Sequence, residues 1–363
     1  MAYRILVINP GSTSTKISLF MDLDEVIKET YHHSSQDLAV YEHVIDQESY
    51  RYTFVQQFLE EYDIDPDSVD AYIGRGGLLK PVEGGVYRVT DDMIRILRQA
   101  VYGEHASNLG ALLVCRMSEA YSKPSFIANP VVVDELSDLA RVSGIPEISR
   151  RSIFHALNQK SAAAAAAKEL KREYEALNLI VVHMGGGISI GAHEKGRVVD
   201  VNNALDGDGP FSPERSGSLP AWDLVNLVAS GRFRPEELHK RICGKGGLFA
   251  YCGTHDVRKV LKRAEKGDEQ AAFYHEAMVY QIAKETGAMA AVFSGNVDAV
   301  VLTGGIAQSE PTVELLRERI AYIAPIIVIA GEREMHALAE NALKALQGSH
   351  DIKEYHDETR EDD

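Results

Sequence analysis

The sequence predicts a duplicated α/β fold of two domains. Two strand–turn–strand units of the same design support this prediction, one starting at Arg4 and the other at Leu179, about half the chain apart. The length of 363 residues also exceeds what one ordinary hydrophobic core fills. We expect one domain over residues 1–150, a second over 151–335, and a segment 336–363 in which a helix packs back on the first domain before an acidic tail. A cleft between the domains would face both turns.

The first unit opens with an apolar run, residues 4–8, which is typical of a buried strand. A polar loop follows at 9–16, and apolar side chains then alternate along the chain from Ile17 to Met21. This pattern predicts strand, loop and strand, unlike the strand, loop and helix of a Walker P-loop. The loop offers four hydroxyl groups, backbone amides freed by Gly11, and the Lys16 ammonium, which suit a polyphosphate with its Mg²⁺. The alternative is an ordinary Ser/Thr-rich turn with a solvated lysine.

The second unit repeats this arrangement. The apolar run 179–182 leads to a triple glycine at 185–187, and residues 188–192 form the returning strand. A third apolar run, 299–302, ends near the glycine pair 304–305 and precedes a helical pattern. Glycine removes the Cβ where a ligand can approach the backbone, although each turn alone is equally consistent with simple tight packing. Three such turns at the ends of three buried strands together indicate a nucleotide site.

Two further segments complete the organisation of the chain. Residues 158–177 predict a helix, because an alanine run and a Lys/Glu mixture have high helix propensity. The domain boundary is placed near Arg150, before this helix. The acidic tail, residues 356–363, is expected to be frayed and solvated.

The composition narrows the class of partner. With 38 Lys and Arg against 54 Asp and Glu, the net charge of −16 repels nucleic-acid phosphates and anionic membrane surfaces. A small-molecule substrate is therefore expected, with neither nucleic acid nor membrane as a partner. The start of the chain has no apolar signal core, so we expect a cytoplasmic protein. The spacing of Cys115, Cys243 and Cys252 gives neither a disulfide framework nor a recognisable metal cluster.

Two arginines and three histidines are candidates for phosphate chemistry. Arg75 lies among glycines and Arg215 among small polar residues. Cations in exposed loops can stabilise the equatorial oxygens of a transferring phosphoryl group. His105, His155 and His183 lie beside loops or helix starts and could donate hydrogen bonds to phosphate. Surface arginines and structural histidines are the alternatives.

Six segments carry a resemblance to a known family: 9–16 (NPGSTSTK), 74–79 (GRGGLL), 103–110 (GEHASNLG), 154–160 (FHALNQK), 183–187 (HMGGG) and 206–211 (DGDGPF). Taken in order from Arg4 to about Leu346, the chain resembles the butyrate kinases of the acetokinase family. The resemblance implies the ribonuclease H-like fold of actin-like ATPases, shared with acetate and sugar kinases, in which an interdomain cleft closes on its ligands.

The resemblance also implies roles for matching positions. The phosphate or Mg²⁺ contacts in the first loop would be Asn9, Ser12, Ser14 and Lys16. The groups around the carboxylate and the transferring phosphoryl group would be Arg75, Arg215 and His155, with His105 as a further catalytic candidate. Nucleotide phosphates would be held by His183, Gly185, Gly186 and Gly187. The adenosine would be bordered by Asp256, Arg258, Gly304, Gly305 and Ile306. Glu334 matches the family's metal-associated glutamate and would share the metal with Asn9.

One position departs from the family pattern. Asn129 stands where the family has an aspartate to which a catalytic or metal-positioning role is assigned. Asparagine keeps the shape but loses the charge, which weakens a Mg²⁺ contact and proton acceptance. A substrate carboxylate is already ionised at neutral pH, since its pKa is about 4 to 5, and needs no base. We therefore expect reduced rather than abolished turnover.

The implied activity is reversible transfer of the ATP γ-phosphoryl group to a short fatty acid, which yields ADP and an acyl phosphate. Butanoate is the expected acceptor, with isobutanoate, propanoate or acetate as alternatives, and related enzymes are dimers or larger. A catalytically weakened nucleotide-binding homologue is a second alternative, favoured by Asn129 alone. A sugar kinase is a third, but it needs a carboxylate base for a neutral hydroxyl, and arginines at the acceptor site argue against it.

Overall fold

A computed structural model describes residues 2–349 and 351–357. The strands are β1 Arg4–Pro10, β2 Ser14–Met21, β3 Asp24–His32, β4 Ala71–Arg75, β5 Val86–Arg88, β6 Ser125–Ala128, β7 Asn178–Met184, β8 Ile188–Glu194, β9 Arg197–Val201, β10 Ala299–Gly304, β11 Ile326–Ala330 and β12 Ile352–Lys353. The helices are α1 Ser35–Leu38, α2 Glu48–Glu61, α3 Asp91–Arg98, α4 Asn108–Tyr121, α5 Asp138–Arg141, α6 Ala156–Glu169, α7 Ala221–Ala229, α8 Pro235–Cys243, α9 Gly247–Cys252, α10 Val257–Ala264, α11 Glu269–Val292, α12 Glu310–Ile320 and α13 Glu334–Leu346.

The chain forms two compact units. The first contains the residues up to Val133 together with those from Arg333 onward, and the second is Asp134–Glu332. Residues 134–150 belong to the second unit, where Glu135 accepts from Lys160 Nζ at 2.9 Å. The domain limits at 150 and 335 stay predictions.

The first unit is built on a seven-stranded sheet in the order β12-β5-β6-β4-β1-β2-β3. The central strand β1 pairs antiparallel with β2 and parallel with β4, and β4 pairs parallel with β6. Residues 5–8 of β1 are fully buried. The predicted strand, loop and strand are therefore confirmed, because burial on both faces of a central strand selects a continuous apolar run.

The second unit repeats this topology in a five-stranded sheet, β11-β10-β7-β8-β9. Its central strand β7 pairs antiparallel with β8 and parallel with β10, and β10 pairs parallel with β11. The strands β7, β8, β9, β10 and β11 thus correspond to β1, β2, β3, β4 and β6. This correspondence confirms the predicted duplication of an α/β fold.

Helices cover the sheets through close backbone contacts. Helix α4 lies so near β4 that a Cβ on Gly74 would be 2.5 Å from Gly110 O, and one on Gly110 would be 2.2 Å from Arg75 O. The glycines around Arg75 therefore serve helix–strand packing. Helix α13 packs on β1 and β4 of the first unit. In the part of the chain that the structure describes, no helix combines the length and apolar character required to cross a membrane.

Two predicted segments differ from the structure. The helix predicted over 158–177 ends at Glu169, and Lys171 follows with a positive φ of 55°. The chain turns there because Arg172 N donates back to Ala167 O across the left-handed Lys171. The Arg172 guanidinium then pairs with Asp298, 2.6 Å away. At the other end of the chain Asp357 is buried, so fraying does not begin at residue 356. The rest of the predicted tail, 358–363, lies outside the described residues.

Candidate functional site

Three predicted residues of the first unit lie at one edge of its sheet. Asn9 is the second-last residue of β1, Arg75 is the last residue of β4, and Asn129 directly follows β6. These strands are parallel neighbours, with Ile8 beside Gly74 and Arg75 beside Ala128. The carboxyl edge of parallel strands is where open α/β sheets bind ligands.

Glu334, the first residue of α13, joins two of these side chains. Its Oε2 accepts from Asn9 Nδ2 at 2.8 Å, and its Oε1 lies 3.2 Å from Arg75 Nη1. Asn9 Oδ1 is buried and has no hydrogen-bond partner among the described residues. Because Mg²⁺ prefers carboxylate and amide oxygens, an orphaned amide oxygen beside a carboxylate fits this cation.

The hydroxyl-rich loop between β1 and β2 is held from behind by Arg51 of α2. This side chain is fully buried, and its Nη1 donates to Gly11 O at 2.8 Å and Ser14 O at 2.9 Å. Burial lowers the pKa of the Arg51 guanidinium to about 10, which leaves it charged at neutral pH. Arg51 thus fixes the backbone of the loop. Sequence reasoning missed it, since nothing near Arg51 in sequence points to a loop some 40 residues away.

The other loop residues lie as follows. Ser12 is exposed, while Ser14 and Lys16 are half-buried. Lys16 is paired directly across the hairpin from Asn9, so both side chains lie on one face of the sheet. Thr15 Oγ1 is 2.9 Å from the ring Nε2 of His33, whose pKa is lowered to about 4 by burial and by the Arg51 charge.

Asn129 and His105 each form a hydrogen bond with a residue that was not predicted to belong to the site. Asn129 Oδ1 accepts from Gly85 N at 2.8 Å, and its backbone adopts a left-handed φ of 39°, which asparagine tolerates better than most residues. His105 is exposed, and its Nδ1 is 2.8 Å from Ser107 Oγ.

The second unit contains a pocket of about 860 Å³, a volume typical of small-molecule sites. Six residues predicted to contact the nucleotide line it: Gly185, Gly186, Asp256, Arg258, Gly305 and Ile306. They come from the turns after β7 and β10 and from the start of α10, so the predicted turns converge. Lining residues that the prediction missed include Glu214, His255, Lys262 and Glu332. Lys262 could have been found, because it lies one helical turn beyond Arg258 on α10.

The glycines around this pocket differ in whether a side chain would fit at their positions. A Cβ on Gly187 would be 1.9 Å from Arg215 Nη1, and one on Gly304 would be 2.4 Å from Met184 O. Gly304 also has φ of +89°. Gly305 is different, because a Cβ there would meet no protein atom within 4 Å. The fold therefore explains the glycines at 187 and 304, whereas protein packing does not require the one at 305, which lines the pocket.

Arg215 packs its guanidinium on the triple-glycine turn. Its Nη1 donates to Ala204 O, while its buried Nε has no hydrogen-bond partner in the described part of the chain. Burial lowers the pKa of Arg215, although the guanidinium remains charged at neutral pH. A buried charged donor with an unused N–H is suited to an anionic ligand.

His155 and His183 stack face to face, with ring centroids 3.9 Å apart and an interplanar angle of 10°. Asn158 Nδ2 lies 2.6 Å from His183 Nδ1 and donates to it. His183 therefore carries its proton on Nε2, the nitrogen nearer to Gly185. Asn158 belongs to the same FHALNQK segment as His155, so the sequence did contain a signal for it.

A chain of hydrogen bonds orients His155. Burial raises the pKa of Tyr174 and lowers that of His193, so the Tyr174 hydroxyl donates to neutral His193 Nδ1 at 2.7 Å. His193 Nε2 then donates to Gln159 Oε1 at 2.9 Å, and Gln159 Nε2 donates to Ser189 Oγ at 2.7 Å. The Ser189 hydroxyl is left to donate to His155 Nδ1, 2.9 Å away. His155 accordingly holds its proton on Nε2.

The repeated topology and its strand-edge residues define a class, the two-domain α/β fold of acetate kinases and actin-like ATPases. Two solved structures share this fold. The acetate kinase of Porphyromonas gingivalis has a TM-score of 0.76 at 20% identity, covering 95% of this chain and 100% of that one. A propionate kinase from Francisella tularensis has a TM-score of 0.72 at 21% identity, covering 93% and 98%.

Sequence comparison identifies the family as well as the fold. The model of the acetokinase family matches residues 145–341. Butyrate kinase 2 of Clostridium acetobutylicum is 49% identical over 98% of this chain and 100% of its own length. Butyrate kinase 1 of the same organism is 48% identical over 97% and 99%. The chain belongs to the acetokinase family, and the resemblance seen in its motifs is confirmed.

Proposed function

We propose that this chain is a carboxylate kinase that transfers the γ-phosphoryl group of ATP to butanoate or a similarly short fatty acid, reversibly. The observation that carries the proposal is the pocket of the second unit, where turns predicted to bind nucleotide line one space of about 860 Å³. Full-length relatives that are named butyrate kinases support the choice of acceptor.

The roles follow from the contacts of each side chain. The adenosine is assigned to the surface formed by Ile306 and the start of α10, with its phosphates directed to the turn at 185–187. Arg215 supplies its unused Nε–H, and His155 its Nε2–H, to the oxygens of the transferring group. These groups are preorganised by hydrogen bonds, so little rearrangement is needed when charge develops in the transition state.

Residues of the first unit are assigned to the metal and the acceptor. Asn9 Oδ1 and the Glu334 carboxylate would hold Mg²⁺, directly or through water, and Arg75 would bind the acceptor carboxylate. Mg²⁺, when bound, would neutralise charge on the phosphate oxygens. An ionised carboxylate attacks without a general base, so the absence of an aspartate at 129 is compatible with turnover.

Further properties carried over from the resemblance are part of the proposal: a cytoplasmic location, a role in fatty acid metabolism and a homodimeric or larger assembly. Light scattering on the purified protein measures the assembly directly. A monomer at micromolar concentration would contradict that part alone.

The test is an acyl kinase assay in which hydroxylamine traps the acyl phosphate as a hydroxamate, run with straight and branched acids of two to six carbons. We expect product with butanoate, and a loss of about 10²–10³-fold in kcat/KM in Arg215→Lys, which lacks the guanidinium donors. Arg197→Lys is the matched control, because Arg197 is exposed on β9 of the same unit and should change nothing. Bound ATP without hydroxamate from any acid would favour the nucleotide-binding homologue instead.

A further inference from the structure

The second unit contains a cluster of metal-ligating side chains outside the residues assigned to catalysis. Asp206, His239 and Cys243 each direct one ligand atom to a common point, and all these atoms lie within 4.8 Å of one another. His239 and Cys243 are four residues apart on α8, so they share one face of that helix. The cysteine spacing gave no sign of this cluster, because its third member is more than 30 residues away.

The separations between the three ligand atoms are close to those of a tetrahedral metal site. His239 Nε2 is 3.4 Å from Cys243 Sγ and 3.9 Å from an oxygen of Asp206, Oδ1, which lies 4.0 Å from Sγ. Zinc bonds of about 2.0–2.3 Å at tetrahedral angles place ligand atoms about 3.3–3.6 Å apart. Movements of a few tenths of an ångström at exposed side chains would therefore complete the geometry.

The two oxygens of Asp206 have separate surroundings. Oδ2 accepts from Arg151 Nη2 and from Asn203 Nδ2, each at 3.2 Å, whereas Oδ1 faces His239 and Cys243. Hydrogen bonds that hold the non-ligating oxygen of a carboxylate orient it for metal binding. Asp206 and His239 are exposed and Cys243 is half-buried, so an ion reaches the cluster from solvent.

We propose that Asp206, His239 and Cys243 form a binding site for a borderline-soft divalent cation such as Zn²⁺, distinct from the Mg²⁺ used in catalysis. A thiolate, an imidazole and a carboxylate favour such an ion over Mg²⁺, which prefers oxygen ligands. On binding, the Cys243 thiol loses its proton to solvent, and water takes the fourth position. The ion would tie the 203–208 loop to α8, and both contact the Arg215 segment through Ala204 O and Ile242 O.

The experiment is a titration of tag-free, metal-free full-length protein with Co²⁺ in excess Mg²⁺, followed by the thiolate-to-cobalt charge-transfer absorption. We expect one equivalent of Co²⁺ to saturate this band and Zn²⁺ to abolish it. Cys243→Ser should lose the band, and His239→Gln should bind at least about tenfold more weakly. Cys115→Ser is the control and should keep the band unchanged.

Two results would overturn the proposal. One is no thiolate band at stoichiometric Co²⁺ in the wild-type protein. The other is an equal band in Cys243→Ser, which would assign the thiolate to another cysteine. Circular dichroism of each variant confirms folding, and because binding is read spectroscopically, the outcome is independent of whether the protein phosphorylates butanoate.

Discussion

Comparing Gly305→Ala with Gly304→Ala distinguishes a glycine that a bound nucleotide requires from a glycine that the fold requires. A methyl group at 305 enters the pocket and meets no protein atom within 4 Å, whereas one at 304 would be 2.4 Å from Met184 O. The two neighbouring substitutions should therefore have opposite effects. Gly305→Ala should weaken nucleotide binding in a stable protein, and Gly304→Ala should destabilise the protein.

The magnitudes follow from these distances. Inserting one methyl group into a close contact costs about 1–3 kcal/mol, so KM for ATP should rise roughly 5- to 150-fold in Gly305→Ala. The free energy of unfolding should change by no more than about 0.5 kcal/mol, or rise slightly, because alanine reduces the entropy of the unfolded chain. Gly304→Ala should lose at least about 1–2 kcal/mol, because alanine is unfavourable at a φ of +89°.

The assay combines initial rates at varied ATP with urea unfolding of both variants. An unchanged KM for ATP in Gly305→Ala would refute the assignment of this pocket to the nucleotide. Equal destabilisation of the two variants would refute the reasoning from Cβ distances.

Four further predictions concern the other parts of the site. Arg51→Met should lower the free energy of unfolding by about 2–4 kcal/mol, because the loop carbonyls lose a charged donor; a loss below about 1 kcal/mol in urea unfolding would contradict this. Ser189→Ala should lower kcat roughly tenfold or more with little change in KM for ATP, because His155 Nδ1 loses the donor that fixes its tautomer; an unchanged kcat would remove Ser189 from the account. Asn129→Asp keeps an acceptor for Gly85 N and should raise kcat and alter the Mg²⁺ dependence, so identical kinetics would show that the residue is structural. His33 has a folded pKa of about 4, so the unfolded chain binds more protons between about pH 6.5 and 4. Stability should therefore fall by up to about 3 kcal/mol as the pH drops through this window, and His33→Gln should flatten the slope seen in urea unfolding; equal slopes would exclude His33 as the cause.

Local sequence patterns predicted the parts of the fold that depend on neighbours along the chain. The buried strands β1, β7 and β10 are continuous apolar runs, and the hairpins after β1 and β7 follow from alternation and turn residues. Two units of one design were enough to predict the duplication. The pocket-lining turns were also predictable, because each directly follows a buried strand.

Features set by distant contacts were not predictable in this way. The end of α6 at Glu169 was not marked by the alanine-rich sequence, and just beyond it Arg172 pairs with Asp298, far along the chain. The support of the first loop by Arg51, and the chain from Tyr174 to His155, join residues whose types are unremarkable in sequence. The sequence also gave no sign that Gly74 and Gly77 are required by the packing of α4.

The central claim is that the chain catalyses reversible phosphoryl transfer between ATP and a short carboxylate. Running the reaction backward tests it most directly, because an acyl phosphate readily gives its phosphoryl group to ADP. Purified protein supplied with butanoyl phosphate, ADP and Mg²⁺ should form ATP in proportion to the acyl phosphate consumed. If ADP binds but no ATP appears while butanoyl phosphate persists, the chain is not a carboxylate kinase and the roles given to Arg215 and His155 are wrong.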